Sequence, residues 1–203
     1  MTHSVQDVPD HSDDGQDFGA RIRALRRARG TSLRALAAEM GISPSALSQI
    51  ERGTMRPSVT RLIQIVSLLN APLSAVFEPG SPETAARTAD IGGDVVVTRG
   101  ADIPVLGLGK GVRYRRLTPE TVPGLELYEC TYPPGAESTQ DGEFLRHSGH
   151  EMGSVLSGTL VVEVGAESHE LGPGDAIKFA SATPHRIANH GAVPAVAIWV
   201  NLA

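Results

Sequence analysis

The residues best suited to recognition chemistry lie together in the stretch Ser43 to Gly53, SPSALSQIERG. At helical spacing, Ser45, Ala46, Ser48, Gln49 and Arg52 share the solvent side, and Pro44 stands at the leading end. Short side chains there let a helix approach base edges. A Gln can pair two hydrogen bonds with an adenine edge, and an Arg suits phosphate. The elements that position this set are written beside it. Ser43 caps the helix, and Pro44 takes the first position, where a missing N–H costs nothing. Leu47 and Ile50 supply a buried face, and Gly53 ends the helix. Upstream, Ser32 caps another helix with apolar positions Leu33, Leu36, Ala37 and Met40, stopped by Gly41. The spacing predicts two short helices joined by a tight turn, a DNA-reading device.

From Phe18 to Phe77 the chain resembles the helix-turn-helix of the XRE family of phage-repressor-like regulators. Met40-Gly41, SPSALSQIERG and Pro57-Ser58 carry the resemblance. A first helix over Phe18 to Arg29 buries Ile22 and Leu25. A fourth over Ser58 to Leu69 buries Val59, Leu62, Ile63, Val66 and Leu69, and a last short turn runs from Leu73 to Phe77. The resemblance implies a five-helix, lambda-repressor-like domain bound to a double-stranded DNA operator. Pro44, Ser45, Ala46 and Gln49 would meet bases. Ser32, Arg34, Ser48, Arg52 and Arg56 would meet phosphates, partly through helix N-terminal N–H groups. One such domain presents a small surface, so a homodimer reading half-sites about 34 Å apart is expected, with the apolar strands of the C-terminal half as its contact surface.

Charge is distributed to match. The whole chain carries −5, which alone argues against a nucleic-acid partner. Residues 18 to 80, however, hold nine Arg against three acids, a net of +6, so the remainder carries −11. A basic domain tethered to acidic surroundings binds a polyanion through that domain alone, with salt-sensitive affinity. Residues 1 to 17 include five Asp and no Lys or Arg, and read as a disordered acidic tail. Residues 81 to 93 lack a buried face and read as a linker. No apolar run approaches the ~18 residues of a membrane span, and no signal peptide is evident, which predicts a cytoplasmic protein. Cys130 is the only cysteine, so an intramolecular disulfide is excluded and a small buried hydrophobe is the expectation.

Beyond the linker, short alternating or apolar runs separated by Gly and Pro predict an all-β domain over 94 to 203. Ten strands are expected, the first at Asp94 to Thr98 and the fourth at Phe144 to His147. Hairpins are expected at Ser157-Gly158 and Gly165-Ala166. So many short strands fit a jelly-roll barrel. This half resembles the cupins (double-stranded β-helix barrels) through two motifs. Gly135 is followed by His147, Glu151 and Gly158, and Gly174-Asp175 by His185 and Asn189. Cupins typically hold a divalent metal with two His and a Glu from the first motif and one His from the second. Here Leu145 replaces the first His. The resemblance leaves His147, Glu151 and His185, a two-His-one-carboxylate set suited to iron(II), with zinc, nickel or manganese also able to fill it. The other reading of these residues is a polar, hydrogen-bonded pocket for an organic effector. His150, His169 and His190 are expected at the surface, His150 also being a candidate substitute ligand. Tyr114, Tyr128, Tyr132, Phe179 and Trp199 are expected as pocket lining or core.

The fold class expected is therefore multidomain, α followed by all-β. The function expected is a sequence-specific transcriptional regulator, not an enzyme, whose cupin domain binds a small-molecule effector or a metal. The alternative is a mononuclear metal oxygenase related to the epoxidase of fosfomycin biosynthesis, which resembles this chain in both architecture and ligand set.

Overall fold

The computed structural model describes residues 14–77, 95–120, 122–140 and 142–202. The helical half contains α1 (Asp14–Ala28), α2 (Leu33–Glu39), α3 (Pro44–Glu51), α4 (Val59–Leu68) and a single 3-10 turn (Leu73–Val76). The five-helix expectation is thus corrected to four α-helices and one turn. Pro72 begins the last segment without a side-chain cap, and its four residues make one turn only. α1 begins at Asp14, so its first turn takes in the last four residues of the segment read as acidic tail. The rest of that tail and the linker at 81–93 lie outside the described residues.

Capping sets the helix boundaries as the sequence anticipated. Ser32, Ser43 and Ser58 each turn the side-chain oxygen onto a backbone N–H three residues on, at Ala35, Ala46 and Arg61. Gly41 takes φ +66°, while its N–H and that of Ile42 return to Ala38 and Ala37, closing α2 with a Schellman motif that a β-carbon would strain. Leu36, Leu47, Ile50, Leu62 and Ile65 are fully buried between the helices.

The second half has nine strands: β1 (Val105–Gly107), β2 (Arg113–Arg116), β3 (Leu125–Tyr132), β4 (His150–Ser157), β5 (Leu160–Val164), β6 (Glu167–Leu171), β7 (Ala176–Ala180), β8 (His185–Ala188) and β9 (Ala195–Leu202). They form an antiparallel six-stranded sheet, β1-β2-β3-β9-β4-β7, and a three-stranded sheet, β6-β5-β8. Two expected strands are absent. Residues 95–98 pair with no strand, and Val95 is 92% exposed. In Phe144 to His147 no ladder forms: Leu145 makes an isolated bridge with His185, and the His147 N–H donates to the Ser181 carbonyl at 3.1 Å. Cys130 is fully buried on β3, and burial pushes its thiol well above the usual cysteine range.

The halves pack on one another. Phe77 stacks on Tyr128 of β3 with ring centroids 5.5 Å apart, and the Ser74 N–H donates to the Glu126 carboxylate at 2.7 Å. The Gly109 N–H donates to the Pro57 carbonyl at 2.8 Å. Among the described residues no helix is long and apolar enough to cross a membrane.

Candidate DNA-reading face and metal centre

The side chains expected to meet DNA are unevenly exposed on α3. Pro44, Ser45 and Arg52 are exposed, Ala46, Ser48 and Gln49 half-buried, while Leu47 and Ile50 face the core. Arg52 donates to the Ser48 hydroxyl at 2.8 Å, which draws its guanidinium back along the same face. Ser32 and Arg34, at the start of α2, are exposed. Arg56 is exposed too, but it rests on the barrel: its guanidinium occupies the space that a β-carbon on Gly107 would need. The Thr54 and Met55 N–H groups both return to the Gln49 carbonyl, which fixes the exit from α3.

A buried ion pair holds α3 in place. The Arg26 guanidinium of α1 forks onto the Glu51 carboxylate, with Nε–Oε1 2.5 Å and Nη2–Oε2 2.9 Å, and Nη1 reaches the Thr31 carbonyl at 2.9 Å. Both residues are under a tenth exposed. In the sequence Arg26 is one of the nine arginines that make this domain basic. The signal available was an Arg beside the buried-face positions Ile22 and Leu25, with a Glu next to Ile50.

In the barrel, His147, Glu151 and His185 come together with ligand atoms all within 4.8 Å of one another. Glu151 lies on β4 in a row that runs through Asn201 of β9 to Glu126 of β3, all on the inner face. His185 opens β8 from the other sheet. His147 precedes β4, and the chain bends through Gly149, at φ +93°, to bring the imidazole over Glu151. The meeting of these two side chains therefore comes from a bend rather than from strand alternation. Leu145, where the cupin pattern has its first His, is buried and paired with the His185 backbone, so it lines the site without a donor.

The geometry fixes the polarity of both rings. His147 Nδ1 lies 2.9 Å from the Ser148 carbonyl and His185 Nδ1 2.8 Å from the Thr183 carbonyl. A carbonyl only accepts, so each Nδ1 carries the proton, and in the neutral rings each Nε2 is a lone pair. Both lone pairs face one oxygen: Glu151 Oε1 is 2.6 Å from His147 Nε2 and 3.0 Å from His185 Nε2. The latter nitrogen, on a residue 1% exposed, lacks hydrogen-bond alignment with any partner. Three electron-rich atoms turned on one another require either protons or a cation between them. Burial pushes the Glu151 carboxyl up, but the His147 and His185 contacts outweigh it and hold it at about 2. Burial pulls His147 down, and the Glu151 contact outweighs that and raises it. The donor set thus fits a divalent metal, with outer hydrogen bonds that orient each imidazole.

Aromatic groups close the site. Phe179 lies 4.9 Å from the His185 ring, and Trp199 is 6.3 Å from Phe179. Trp199 covers Gly153, where a β-carbon would come within 2.6 Å of the indole. Tyr114 and Tyr132 are buried and share a hydroxyl contact of 3.2 Å, which makes them core. His150 and His190 are exposed, and neither belongs to the cluster.

Known proteins agree with this division. Residues 22–76 match the helix-turn-helix family and residues 128–201 the cupin domain family. The chain therefore carries an XRE-type helix-turn-helix domain followed by a cupin domain, and it is a DNA-binding transcriptional regulator. The regulator PuuR of Escherichia coli (strain K12), an HTH-type transcriptional regulator, is 29% identical over 185 residues, covering 89% of this chain and 92% of its own length. The likeness therefore runs through both halves. A solved HTH_3 family transcriptional regulator from Vibrio cholerae superposes with a TM-score of 0.65 at 26% identity, over 93% of this chain and 96% of its own. Hydroxypropylphosphonic acid epoxidase from S. wedmorenis, solved in complex with fosfomycin, is 22% identical over 93% of this chain and 98% of its own, with a TM-score of 0.45. That degree of likeness does not bear on the chemistry of this barrel.

Proposed function

We propose that the cupin barrel binds a divalent cation at His147, Glu151 and His185, and that its occupancy biases operator binding by α3. The observation that carries this reading is the pair of imidazole lone pairs turned on one buried carboxylate, with no other cation facing it among the described residues. Two nitrogens and a carboxylate leave coordination positions open, so an organic effector can bind on the metal. Iron(II), zinc, nickel and manganese suit the donors. The barrel serves as a sensor rather than a catalyst, because an enzyme gains nothing from a basic first domain with an intact recognition helix.

On the DNA side, Pro44, Ser45, Ala46 and Gln49 read bases, with Gln49 taking an adenine edge. Ser32, Arg34, Ser48 and Arg52 hold phosphates, and Arg56 joins them by swinging off its contact with Gly107 of the barrel. The protein acts as a cytoplasmic homodimer. Leu127, Met152, Ile198 and Val200 alternate with the inner-face residues on the three central strands of the large sheet, and this apolar outer face is the dimer contact.

The test is metal analysis together with DNA binding. Purified protein loaded anaerobically with iron(II) is expected to hold one metal per chain and to lose it in Glu151→Ala. A duplex selected from random sequence is expected to bind wild type with a steep salt dependence. Absence of selected DNA sinks the operator reading, and absence of stoichiometric metal sinks the cation reading.

A further inference from the structure

We propose that Ser138 is the positioning residue through which the barrel sets the place of α4, and with it the recognition helix. The inference rests on the cation reading above. It goes beyond it by naming the residue that couples the two halves.

Ser138 lies in the segment leaving β3 and is 3% exposed. Its carbonyl accepts two hydrogen bonds from Thr60, one from the backbone N–H at 3.0 Å and one from the hydroxyl at 3.1 Å. Thr60 is the second residue of α4 and is 7% exposed. N–H groups in the first turn of a helix have no partner inside the helix. The Ser58 hydroxyl takes the Arg61 N–H, and the barrel takes that of Thr60. The preceding peptide is gripped as well, since the Pro57 carbonyl accepts the Gly109 N–H at 2.8 Å. Only four residues separate the glycine that ends α3 from Ser58, and the Thr54 and Met55 N–H groups are already tied to Gln49. The recognition helix and the clamped start of α4 therefore move together.

The other side of Ser138 is bonded to β8, the strand that carries His185. Its N–H donates to the Ile187 carbonyl at 2.8 Å, and its hydroxyl accepts the Ile187 N–H at 3.0 Å. Gly135 and Asn189 extend this pairing, with the Gly135 N–H on the Asn189 carbonyl at 2.9 Å and the Asn189 N–H on the Ala136 carbonyl at 2.8 Å. Residues 135–138 thus run as an added strand along β8. The same short strand carries His185, two residues from Ile187. A cation drawn between His147, Glu151 and His185 changes the position that β8 prefers. Ser138 passes that change to Thr60 through buried hydrogen bonds that cannot be exchanged for water.

Cobalt(II) tests the link, because its visible absorption reports site occupancy independently of DNA. Full-length protein is titrated with cobalt(II), and affinity for duplexes selected from random sequence, with and without the metal, is read by fluorescence anisotropy. In wild type the metal is expected to change DNA affinity by about fivefold or more. In Ser138→Ala, which loses the hydroxyl link to Ile187 and keeps the backbone bonds, the ratio is expected to fall at least twofold while the cobalt spectrum persists. Thr60→Val keeps the backbone bond and loses the hydroxyl bond. It is expected to fall between the two, with metal-free DNA affinity near wild type, and it carries the test if Ser138→Ala does not fold. Full retention of the wild-type ratio in the variants overturns the role of Ser138, whereas an occupied wild-type site that leaves DNA affinity unchanged overturns the reading that occupancy biases operator binding, and this inference with it. A wild-type protein with no cobalt absorption fails earlier: the cation reading falls, and this inference falls with it.

Discussion

The face of α3 and the cluster around Glu151 deploy polar groups in opposite ways. On α3 the serines, Gln49 and Arg52 lie at the surface or partly under it, on a helix held from behind by Leu47, Ile50 and the Arg26–Glu51 pair. In the barrel the polar atoms turn inward: Glu151 is 6% exposed and its carboxylate is faced by two imidazoles, with Phe179 packed against one of them. An outward set of small donors suits a partner larger than the protein's own surface, such as a duplex. An inward set of lone pairs suits something small enough to be enclosed. In the function proposed above, recognition and control therefore fall in different halves of one chain.

That contrast can be broken from the helical side first. Arg26→Ala leaves the Glu51 carboxylate buried without its partner, and a loss of about 3–5 kcal/mol is expected. Chemical denaturation should show it as a large drop in the helical transition, with loss of DNA binding and little change in metal content. On the barrel side, melts in chelator sharpen the comparison by their pH dependence. Glu151 sits at about 2 against an ordinary 4.5, so its contribution is present above the ordinary value and is lost as pH falls toward 2. His147 is raised above its ordinary 6.5, so its contribution is present below that value and is lost as pH rises through the raised one. The expected change is on the order of 3 kcal/mol on the acid limb. Both limbs should flatten in Glu151→Gln. If they persist there, the site is not the source.

Finer effects separate specificity from affinity on α3. Gln49→Ala is expected to cost about 1–3 kcal/mol on a selected duplex and little on random DNA. Arg52→Ala should weaken both and lower the salt slope by about one. Competition binding at several salt concentrations distinguishes these two outcomes. The smallest effect is Ser43→Ala, which removes the α3 cap at Ala46 and should cost about 1 kcal/mol of stability by thermal unfolding.

The helical half was legible because its determinants are local. Caps at Ser32, Ser43 and Ser58, glycines at 41 and 53 and a period of 3.6 all lie within a turn or two of the elements they fix. Arg26–Glu51 was not legible, since 25 residues separate the partners and each alone reads as surface charge. In the barrel, motif spacing named His147, Glu151 and His185. The route by which His147 reaches Glu151 was not legible, because the bend at Gly149 is held by Ser181, which takes the His147 N–H and donates to the Gly149 carbonyl. The unpaired run at 95–98 shows the converse: three valines in a row satisfy strand propensity, yet without a neighbouring edge they form none. Ser138 was invisible, since nothing local marks a carbonyl that will meet a helix 78 residues away.

The most direct test of the central claim is the affinity for one selected duplex, measured with and without saturating iron(II) under anaerobic conditions, in wild type and in Glu151→Ala. The account expects iron to shift wild-type affinity and to leave Glu151→Ala unmoved, with the two proteins alike in the absence of metal. Stoichiometric iron in the wild-type barrel with identical DNA affinity in all four measurements would contradict it.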